Sequence, residues 1–386
     1  MKIVKSLTLI LIMVVGLLST ISVFSATTSG KCGETLSWSY DKSEQALSII
    51  GTGKMYNYDI SKNEYAPWAG YKESVLYIDI DEGVTSIGDG AFFDFNKIRN
   101  ITIAENIKSI GKQAFYSCDE LLKINFNEKL ETIGVASFKD CLKLRELYMP
   151  QSLKSVGQQS FDGCNKIASV VFGGNLESIG ILAFNKCSEI KKLDFGHSPV
   201  VINNGAFQSC SSLTQILNGD KIREFRENCF SNCNSLGSIE IPITTTYISP
   251  TAFNALYLSS ITVNEFNPIY CDIDGVLYNK KKDTLVRYPA YKEGTSYNIL
   301  DGVKNILPSA FAYAWRLNEI NIEGDVENTG EKAFYNCLNV TDIVLGDNIK
   351  SIGKEAFLKT KYYDNQENWS DGVLYINNHL IKGELS

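Results

Sequence analysis

A motif that returns with a fixed 23-residue period constrains this chain more than any other feature of its sequence. In one copy, residues 107–118 read Ile-Lys-Ser-Ile-Gly-Lys-Gln-Ala-Phe-Tyr-Ser-Cys. The Phe of the motif recurs as Phe92, Phe115, Phe138, Phe161, Phe184, Phe207, Phe230, Phe253, Phe311, Phe334 and Phe357. Ala or Ser precedes it in every copy except one, where Cys229 stands. A fixed period of this size predicts a solenoid, and only the 58-residue step from Phe253 to Phe311 breaks it.

Each repeat contains two short apolar runs that predict strands. The first has the form Leu-x-x-Ile-x-Ile, and its end alternates with period 2, as in Ile124 and Phe126. The second, Ile-x-Ser-Ile-Gly, predicts an extended segment that ends in a turn, where Gly111 supplies a positive φ. The spacing of Ala114, Cys118 and Leu121 predicts one or two turns of helix. Because a single repeat is too short to bury this many apolar groups alone, we expect stacked repeats that share a column-shaped core.

The motif Ile-x-Ser-Ile-Gly-x-x-Ala-Phe-x-x-Cys-x-x-Leu resembles the BspA-like leucine-rich repeat, also called the Treponema pallidum type, over roughly residues 76–365. The resemblance implies an α/β repeat solenoid, a right-handed curved stack of about 11 leucine-rich repeats. It also implies a secreted or cell-surface protein that acts in adhesion or in protein–protein interaction. It implies no particular ligand.

The segments outside the repeats predict a processed and capped chain. Residues 1–25 read as a secretory signal peptide, with Lys2 and Lys5 before an apolar run; an uncleaved membrane anchor is the alternative. No later stretch is apolar enough to span a membrane. We expect an aromatic-rich β-hairpin N-terminal cap at 26–75, repeats at 76–263, an inserted β-hairpin standing off the solenoid at 264–300, repeats at 301–365, and a C-terminal hairpin cap at 366–386.

The charge of the chain argues against nucleic acid as a partner. The formal net charge is −7, and it becomes −9 (35 basic against 44 acidic residues) without Lys2 and Lys5. Nucleic acids and anionic membranes both select a basic surface, which this composition does not predict.

Cysteine usage follows the repeat instead of a disulfide pattern. Ten Cys in a secreted chain would normally suggest disulfides. Six of them occupy one repeat position, as Cys118, Cys141, Cys164, Cys187, Cys210 and Cys233. Neighbouring repeats lie about 4.8 Å apart, but their Cβ atoms point in parallel directions. We therefore expect a ladder of buried, reduced thiols, and the absence of a Cys-x-x-Cys pair disfavours a metal site.

The sequence offers little for catalysis. Its two histidines, His197 and His379, are far apart in turn-like settings, and the periodic pattern does not bring the partners of a Cys–His or Ser–His–Asp site together. Asp272 and Asp274 form part of a calcium-loop pattern, but the closing Glu and the other oxygen ligands are missing. We predict no enzyme, no cofactor and no metal.

The most promising binding residues are those that face outward from the Ile-x-Ile strands. Stacking places Tyr148, Val171, Asp194, Leu217 and Glu240 in one column of the sheet face. Apolar side chains in an exposed row can mark a contact patch. We expect this patch to bind an extracellular or host protein.

Two other patches and two other roles stay open. Trp38, Tyr58 and Trp68 could form a sugar-stacking platform, which would make the chain a polysaccharide-binding protein. The tyrosines of the inserted segment form a rival patch, as Tyr270, Tyr278, Tyr288 and Tyr291. A structural envelope component without a specific ligand is the remaining alternative.

Overall fold

Residues 28–383, which the computed structural model describes, wind into a β-solenoid in which each sequence repeat forms one turn. Twelve turns each contribute one aromatic ring to the core, eleven from the repeated Phe and one from Tyr288. Every turn has three sides, which we call the front face, the side face and the turn side. The predicted signal peptide at 1–25 lies outside the described residues.

The front face consists of parallel strands formed by the Leu-x-x-Ile-x-Ile runs. Its strands are Asn100–Thr102, Lys123–Asn125, Glu146–Tyr148, Ser169–Val171, Lys192–Asp194, Gln215–Leu217, Ser238–Ile241, Ser260–Val263, Ser296–Asn298, Glu319–Ile322 and Asp342–Leu345. The middle residue of the three-residue strands is buried in most turns while its neighbours face solvent, as for Leu147 between Glu146 and Tyr148. The predicted alternation is therefore observed.

The side face is formed by the Ile-x-Ser-Ile-Gly runs. Its strands are Gly53–Lys54, Val84–Ile87, Ser109–Ile110, Thr132–Ile133, Ser155–Val156, Ser178–Ile179, Val201–Ile202, Glu224–Phe225, Tyr247–Ile248, Tyr270–Ile273, Val276–Asn279, Thr284–Arg287, Asn305–Ile306, Asn328–Thr329 and Ser351–Ile352. The first nine form one uninterrupted sheet, and the other six form a second sheet.

The turn side of the described residues contains no helix at the repeated Phe, so the helical prediction for the Ala-Phe-x-x-Cys segments is wrong. Gln113 and Ser117, two residues before and after Phe115, both have a φ of +53°. The Phe115 amide donates to the Ser137 carbonyl of the next turn at 2.7 Å. An α-helix would direct that amide to a carbonyl four residues back. The residue spacing suits both structures, but the amides here bond between turns, and the fold is a β-solenoid instead of an α/β one.

The glycine that follows many of the side-face strands has a different cause from the predicted one. Gly111 and Gly134 do not have positive φ. A Cβ on Gly134 would lie 2.7 Å from the carbonyl carbon of Gly111. Glycine is therefore favoured in these turns because they approach each other too closely for a side chain, whereas Asn203 and Arg226 occupy the same position further along.

The repeated Phe residues form two stacks inside the solenoid, one from Phe92 to Phe253 and one from Phe311 to Phe357. Neighbouring rings in the regular turns lie about 5 Å apart, for example 5.1 Å and 10° between Phe115 and Phe138. At the N-terminal end, Trp68 stacks on Phe92 at 5.9 Å. The six predicted cysteines, joined by Cys337, are buried beside these stacks, and the Cys164 thiol donates to the Phe138 carbonyl at 3.0 Å. All ten cysteines are free thiols.

The inserted segment does not stand off the solenoid, which corrects the prediction for 264–300. Val276–Asn279 and Thr284–Arg287 pair antiparallel, and the second strand then pairs parallel with Asn305–Ile306. Tyr288 stacks at 4.9 Å on Phe311, its counterpart in the next turn. The apparent gap is thus one enlarged turn followed by a turn of normal length. The hairpin is buried because it supplies a layer of the core.

Sheets of different topology lie at the two ends. The N-terminal sheet contains Thr28–Lys31, Leu36–Asp41, Ala46–Gly51 and Tyr77–Ile80. The C-terminal sheet contains Trp369–Ser370, Val373–Ile376 and His379–Gly383. The helical segments of the described chain are the four-residue α-helix Lys361–Asp364 and the 3₁₀ turns Ile60–Lys62, Ala69–Tyr71 and Gln366–Asn368.

Candidate functional site

The outward column of the front face has the register that the repeat predicts. Tyr148 pairs with Val171, Val171 with Asp194, and Asp194 with Leu217 in consecutive parallel strands. Tyr148 is 63% exposed and Leu217 is 37% exposed, so two large apolar side chains face solvent in this short column. Adjacent rungs of a sheet lie about 4.8 Å apart, so the column is a narrow, ordered stripe.

The front sheet is interrupted at both ends of this stripe, since Lys123–Asn125 does not pair with Glu146–Tyr148 and a second interruption follows Leu217. Gln215–Leu217 pairs with Lys192–Asp194 on one side, but it has no pairing with Ser238–Ile241 on the other. The two turns remain joined on the side face, where Phe225 pairs with Ile248 and Ile202. The strands have therefore separated on the front face alone, between turns that are otherwise stacked.

One residue distinguishes the turn at this separation from its neighbours. Position 218 belongs to the column that supplies apolar core residues in the neighbouring turns, as Ile103, Phe126, Met149, Phe172, Phe195 and Ile241. Asn218 occupies it here, and burying an unpaired amide would cost more than exposing it. The residue adopts a φ of +51°, faces solvent, and donates from Nδ2 to Asp194 Oδ1 at 2.7 Å. The space that an apolar side chain would fill is left open.

The neighbouring core fills this space only in part. Phe225 replaces the Ile or Val that the adjacent side-face strands carry at the same position, and it remains fully buried. Ile216 is partly exposed, whereas its counterparts Leu193 and Ile239 are buried. A recess of about 550 Å³ results, which lies between the two strands. We call it the front recess.

The front recess has an apolar floor and an acidic rim. Its apolar lining consists of Ile216, Leu217, Ile222, Phe225, Ile239, Pro242 and Ile243. Asp220 and Glu240 lie in the lining, which contains no Lys or Arg. His197 Nδ1 lies 2.5 Å from Asp220 Oδ1, so the histidine orients one of the two carboxylates. A recess of this kind is suited to an apolar group that carries or adjoins a positive charge.

The structure brings the five predicted contact residues into two groups. Tyr148, Val171, Asp194 and Leu217 form the continuous stripe, and Glu240 lies across the interruption. Leu217 and Glu240 both line the front recess. Asp194 also has a structural role, because its carboxylate accepts from the amide of Gly196 and from Asn218.

The aromatic platform of the N-terminal segment is not available to a sugar, which corrects that alternative. Trp38 is 4% exposed and Trp68 is 0% exposed. Trp68 packs edge-on against both Trp38 and Tyr58, with ring centroids 5.8 Å apart in each pair. These rings cover the end of the Phe stack, so no open ring face remains for stacking.

The tyrosines of the inserted hairpin do not form a surface patch either. Tyr270, Tyr278 and Tyr288 are at most 8% exposed. The Tyr278 hydroxyl lies 2.6 Å from that of Tyr297, inside the second core. Tyr291 remains partly exposed and packs against Trp315 and Arg316. The rival patch therefore lacks three of its four members.

The residues considered for catalysis or for calcium binding form hydrogen bonds or ion pairs within the protein. His379 Nε2 lies 3.1 Å from the Gly346 carbonyl, in a different turn from His197. Asp272 accepts from the Val263 amide, and Asp274 pairs with Lys292. Within residues 28–383, no cluster of three or more His, Cys, Asp or Glu side chains could hold a metal ion. In the same range, no helix is long and apolar enough to cross a membrane.

A second depression differs from the front recess in its chemistry. It extends over about 950 Å³ at the edge of the side face, and its lining is polar apart from Gly174 and Pro199. Lys154 pairs there with Glu131 at 2.8 Å. Because opposite charges already neutralise each other and no apolar floor is present, this surface resembles ordinary solvated protein.

Sequence reasoning identified the stripe but missed the front recess. The signal was present in the repeat alignment, since Asn218 is polar where the turns on either side are apolar. Ile243, which lines the recess, is 47% exposed, and Phe266 in the next turn is 70% exposed.

Comparisons with known proteins agree with this architecture. The family model described as "BspA type Leucine rich repeat region (6 copies)" matches residues 69–191, 156–271 and 290–383. A search of curated proteins finds no match. Among solved structures, a leucine-rich repeat protein from Bacteroides ovatus is 19% identical and has a TM-score of 0.60, with 88% of this chain and 92% of that chain covered.

Two further solved structures are similar at lower TM-scores. A leucine-rich cell surface protein from Faecalibacterium prausnitzii is 21% identical with a TM-score of 0.44, and the match covers 86% of this chain and 80% of that one. The leucine-rich repeat protein of T. pallidum is 21% identical with a TM-score of 0.39, and the match covers 53% of this chain and 90% of that one.

Proposed function

This chain belongs to the BspA-type leucine-rich repeat family, and from that premise we propose that it is a secreted or cell-surface recognition protein. Its role is to bind another extracellular protein, by adhesion or by complex formation, through the front face. The signal-peptide pattern at residues 1–25 supports export of the chain.

One observation carries the proposal, namely the apolar stripe on the front face. Tyr148 and Leu217 are exposed on strands that the ladder holds in fixed register. Large side chains on a rigid sheet lose little conformational freedom when a partner covers them. Tyr in particular is enriched at the energetic centres of protein interfaces.

A binding function also suits what the rest of the surface provides. The solenoid presents ordered strands whose backbone is fixed by neighbouring turns, and nine of the side-face strands form one sheet. Solenoids commonly use such extended faces for recognition. We infer that the chain contributes a recognition surface.

The test is binding of the chain from Ala26 onward to arrays of extracellular matrix proteins and of polysaccharides. A Tyr148→Ser/Val171→Ser/Leu217→Ser variant removes the stripe. A matched control, Val135→Ser/Leu142→Ser/Ile181→Ser, removes three side chains that are 41%, 41% and 42% exposed elsewhere on the solenoid.

A protein that binds the parent and the control, but binds the stripe variant roughly tenfold or more weakly, is the expected result. Equal loss in both variants would show that general surface hydrophobicity is responsible and would contradict the proposal. Binding to polysaccharide alone, retained by the stripe variant, would favour a carbohydrate-binding protein. No binding at all would favour a structural envelope role.

A further inference from the structure

We propose that the front recess binds an extended, basic segment of a partner protein, with one apolar side chain on the floor and a Lys or Arg at the rim. This inference rests on the proposed function and specifies where and how that function is carried out.

The shape of the recess favours an inserted side chain. It is walled by two strands that have separated, so it is open along the direction in which an extended peptide would lie. The floor offers Ile216, Phe225 and Ile239. An apolar side chain placed there would occupy the space that Phe195 and Ile241 fill in the turns on either side.

The backbone of the recess also has unused bonding capacity. Backbone groups of a parallel strand alternate between its two neighbours. The Gln215 amide and the Leu217 carbonyl bond to the preceding turn, at 3.1 and 2.9 Å. The amide and carbonyl of Ile216 consequently face the interruption, where no strand of the described residues pairs with them. An edge of this kind can form hydrogen bonds with an added peptide, as in other cases of strand addition.

The charge of the rim selects a cationic peptide. Asp220 and Glu240 are exposed carboxylates, and the lining has no basic residue besides His197. An acidic peptide would be repelled by both carboxylates, whereas Lys or Arg beside the inserted side chain would pair with them. Charge complementarity therefore distinguishes this site from the stripe, which depends on apolar contacts.

Three variants test the site. Asn218→Phe/Phe225→Ile reproduces the residues of the neighbouring turns and is expected to close the recess and raise the melting temperature. Asp220→Asn/Glu240→Gln keeps the shape but removes the charge. Tyr148→Ser/Val171→Ser changes the stripe without touching the recess and serves as the control.

The probes are fluorescein-labelled heptapeptides with a central Leu, Phe or Met flanked by Lys or Arg, measured by fluorescence anisotropy. Matched peptides carry Glu flanks or a central Ser. We expect binding of the basic apolar peptides alone, lost in the closed variant, weakened roughly tenfold in the charge variant and made less salt-dependent there. The Tyr148→Ser/Val171→Ser control should bind these peptides as tightly as the parent protein does.

Binding that survives in the closed variant, or that does not depend on peptide charge, would overturn the inference, and so would no binding of any basic peptide. The same experiments distinguish a failure of the recess inference from a failure of the proposed function. If a protein found on the array loses affinity in the Tyr148→Ser/Val171→Ser variant but not in the closed variant, front-face recognition stands and the recess inference is wrong. Loss in the closed variant supports both.

Discussion

At the scale of single residues, the turn side imposes a backbone geometry that most side chains disfavour. In most turns, the positions two residues before and two residues after the repeated Phe adopt positive φ, and most of these residues are not glycine. Lys186 has a φ of +61°, whereas Gly163 occupies the same position one turn earlier with a φ of +82°. The left-handed region costs a residue with a Cβ roughly 1–2 kcal/mol.

We therefore expect Lys186→Gly to stabilise the protein by up to about 1 kcal/mol, because glycine removes this strain but adds chain entropy to the unfolded state. The Lys186 side chain is exposed, so few contacts are lost. Lys191→Gly is the matched control, since Lys191 is also exposed but does not have positive φ. It should destabilise the protein. Urea unfolding of both variants measures the difference, and a shift of the same sign in both would contradict this account.

The residues of the exposed column on the front face could be predicted from the sequence, but the interruption of the front sheet could not. Tyr148 and Leu217 could be placed on one column because strand register follows directly from the 23-residue period. The recess could not be derived in the same way, because it depends on how Phe225 and Ile216 repack around a single polar substitution. The burial of Trp38 and Trp68 could not be predicted either, because an aromatic residue suits both a core and a binding platform.

At the scale of elements, the sequence predicted the strands and failed on the segments between them. Strands have a period of 2, which appears in Ile124 and Phe126 and has no close alternative. The spacing of Ala114, Cys118 and Leu121 fits a helix, but it also fits two successive turns that bury the same three side chains. The backbone hydrogen bonds to the next turn decide between the helix and the two turns. The accepting carbonyl groups belong to the next repeat, so the sequence of one repeat does not reveal them.

The cysteine ladder predicts a loss of stability in alkali. Burial raises the pKa of the thiols of Cys141, Cys187 and Cys210 well above the usual 9, and that of Cys337 to about 12. Below about pH 9 these groups are protonated in both states, so stability does not depend on them. Above it the unfolded chain releases protons that the folded protein keeps, and each thiol then lowers the free energy of unfolding by up to about 1.4 kcal/mol per pH unit.

Melting temperatures between about pH 7 and pH 10.5 should therefore be constant at first and fall steeply above pH 9. Cys141→Ala/Cys187→Ala should melt lower at neutral pH because of the cavities, yet show a shallower alkaline fall. If the two slopes are equal, the buried thiols are not responsible.

The N-terminal segment is predicted to act as a cap, and Trp68 is the residue that tests it. Trp68 covers the Phe stack, and its indole Nε1 donates to the Ala91 carbonyl at 2.7 Å. Trp68→Ala should cost about 3–5 kcal/mol and open the first turns to water. Trp369→Ala at the opposite end is the comparison, because its indole donates to Tyr363 there.

Amide hydrogen exchange by mass spectrometry should show faster exchange around residues 84–110 in the first variant and around 342–376 in the second. Uniformly faster exchange along the whole chain in either variant would mean that the solenoid unfolds as one unit and that no local cap exists.

At the scale of the whole molecule, two apolar cores meet at the inserted hairpin. The first core runs from the N-terminal sheet to Ile261 and includes Leu277 and Val286. The second includes Val276 and Leu285 and runs to the C-terminal sheet. Because neighbouring residues of a strand point to opposite sides, the hairpin contributes alternate side chains to the two cores and joins them.

This arrangement predicts opposite effects for two leucines on one hairpin. Leu277 and Leu285 are both fully buried, so truncation of either to Ala should cost about 2–5 kcal/mol. In a stack of repeats, stability is a sum of local and nearest-neighbour terms, so the damage should stay on the side where the cavity forms. Leu277→Ala should accelerate hydrogen exchange in residues 238–263 and leave 305–345 protected, and Leu285→Ala should do the reverse. If both variants gave the same exchange pattern, damage on one side of the enlarged turn would also destabilise the other side, and the two cores would form one cooperative unit.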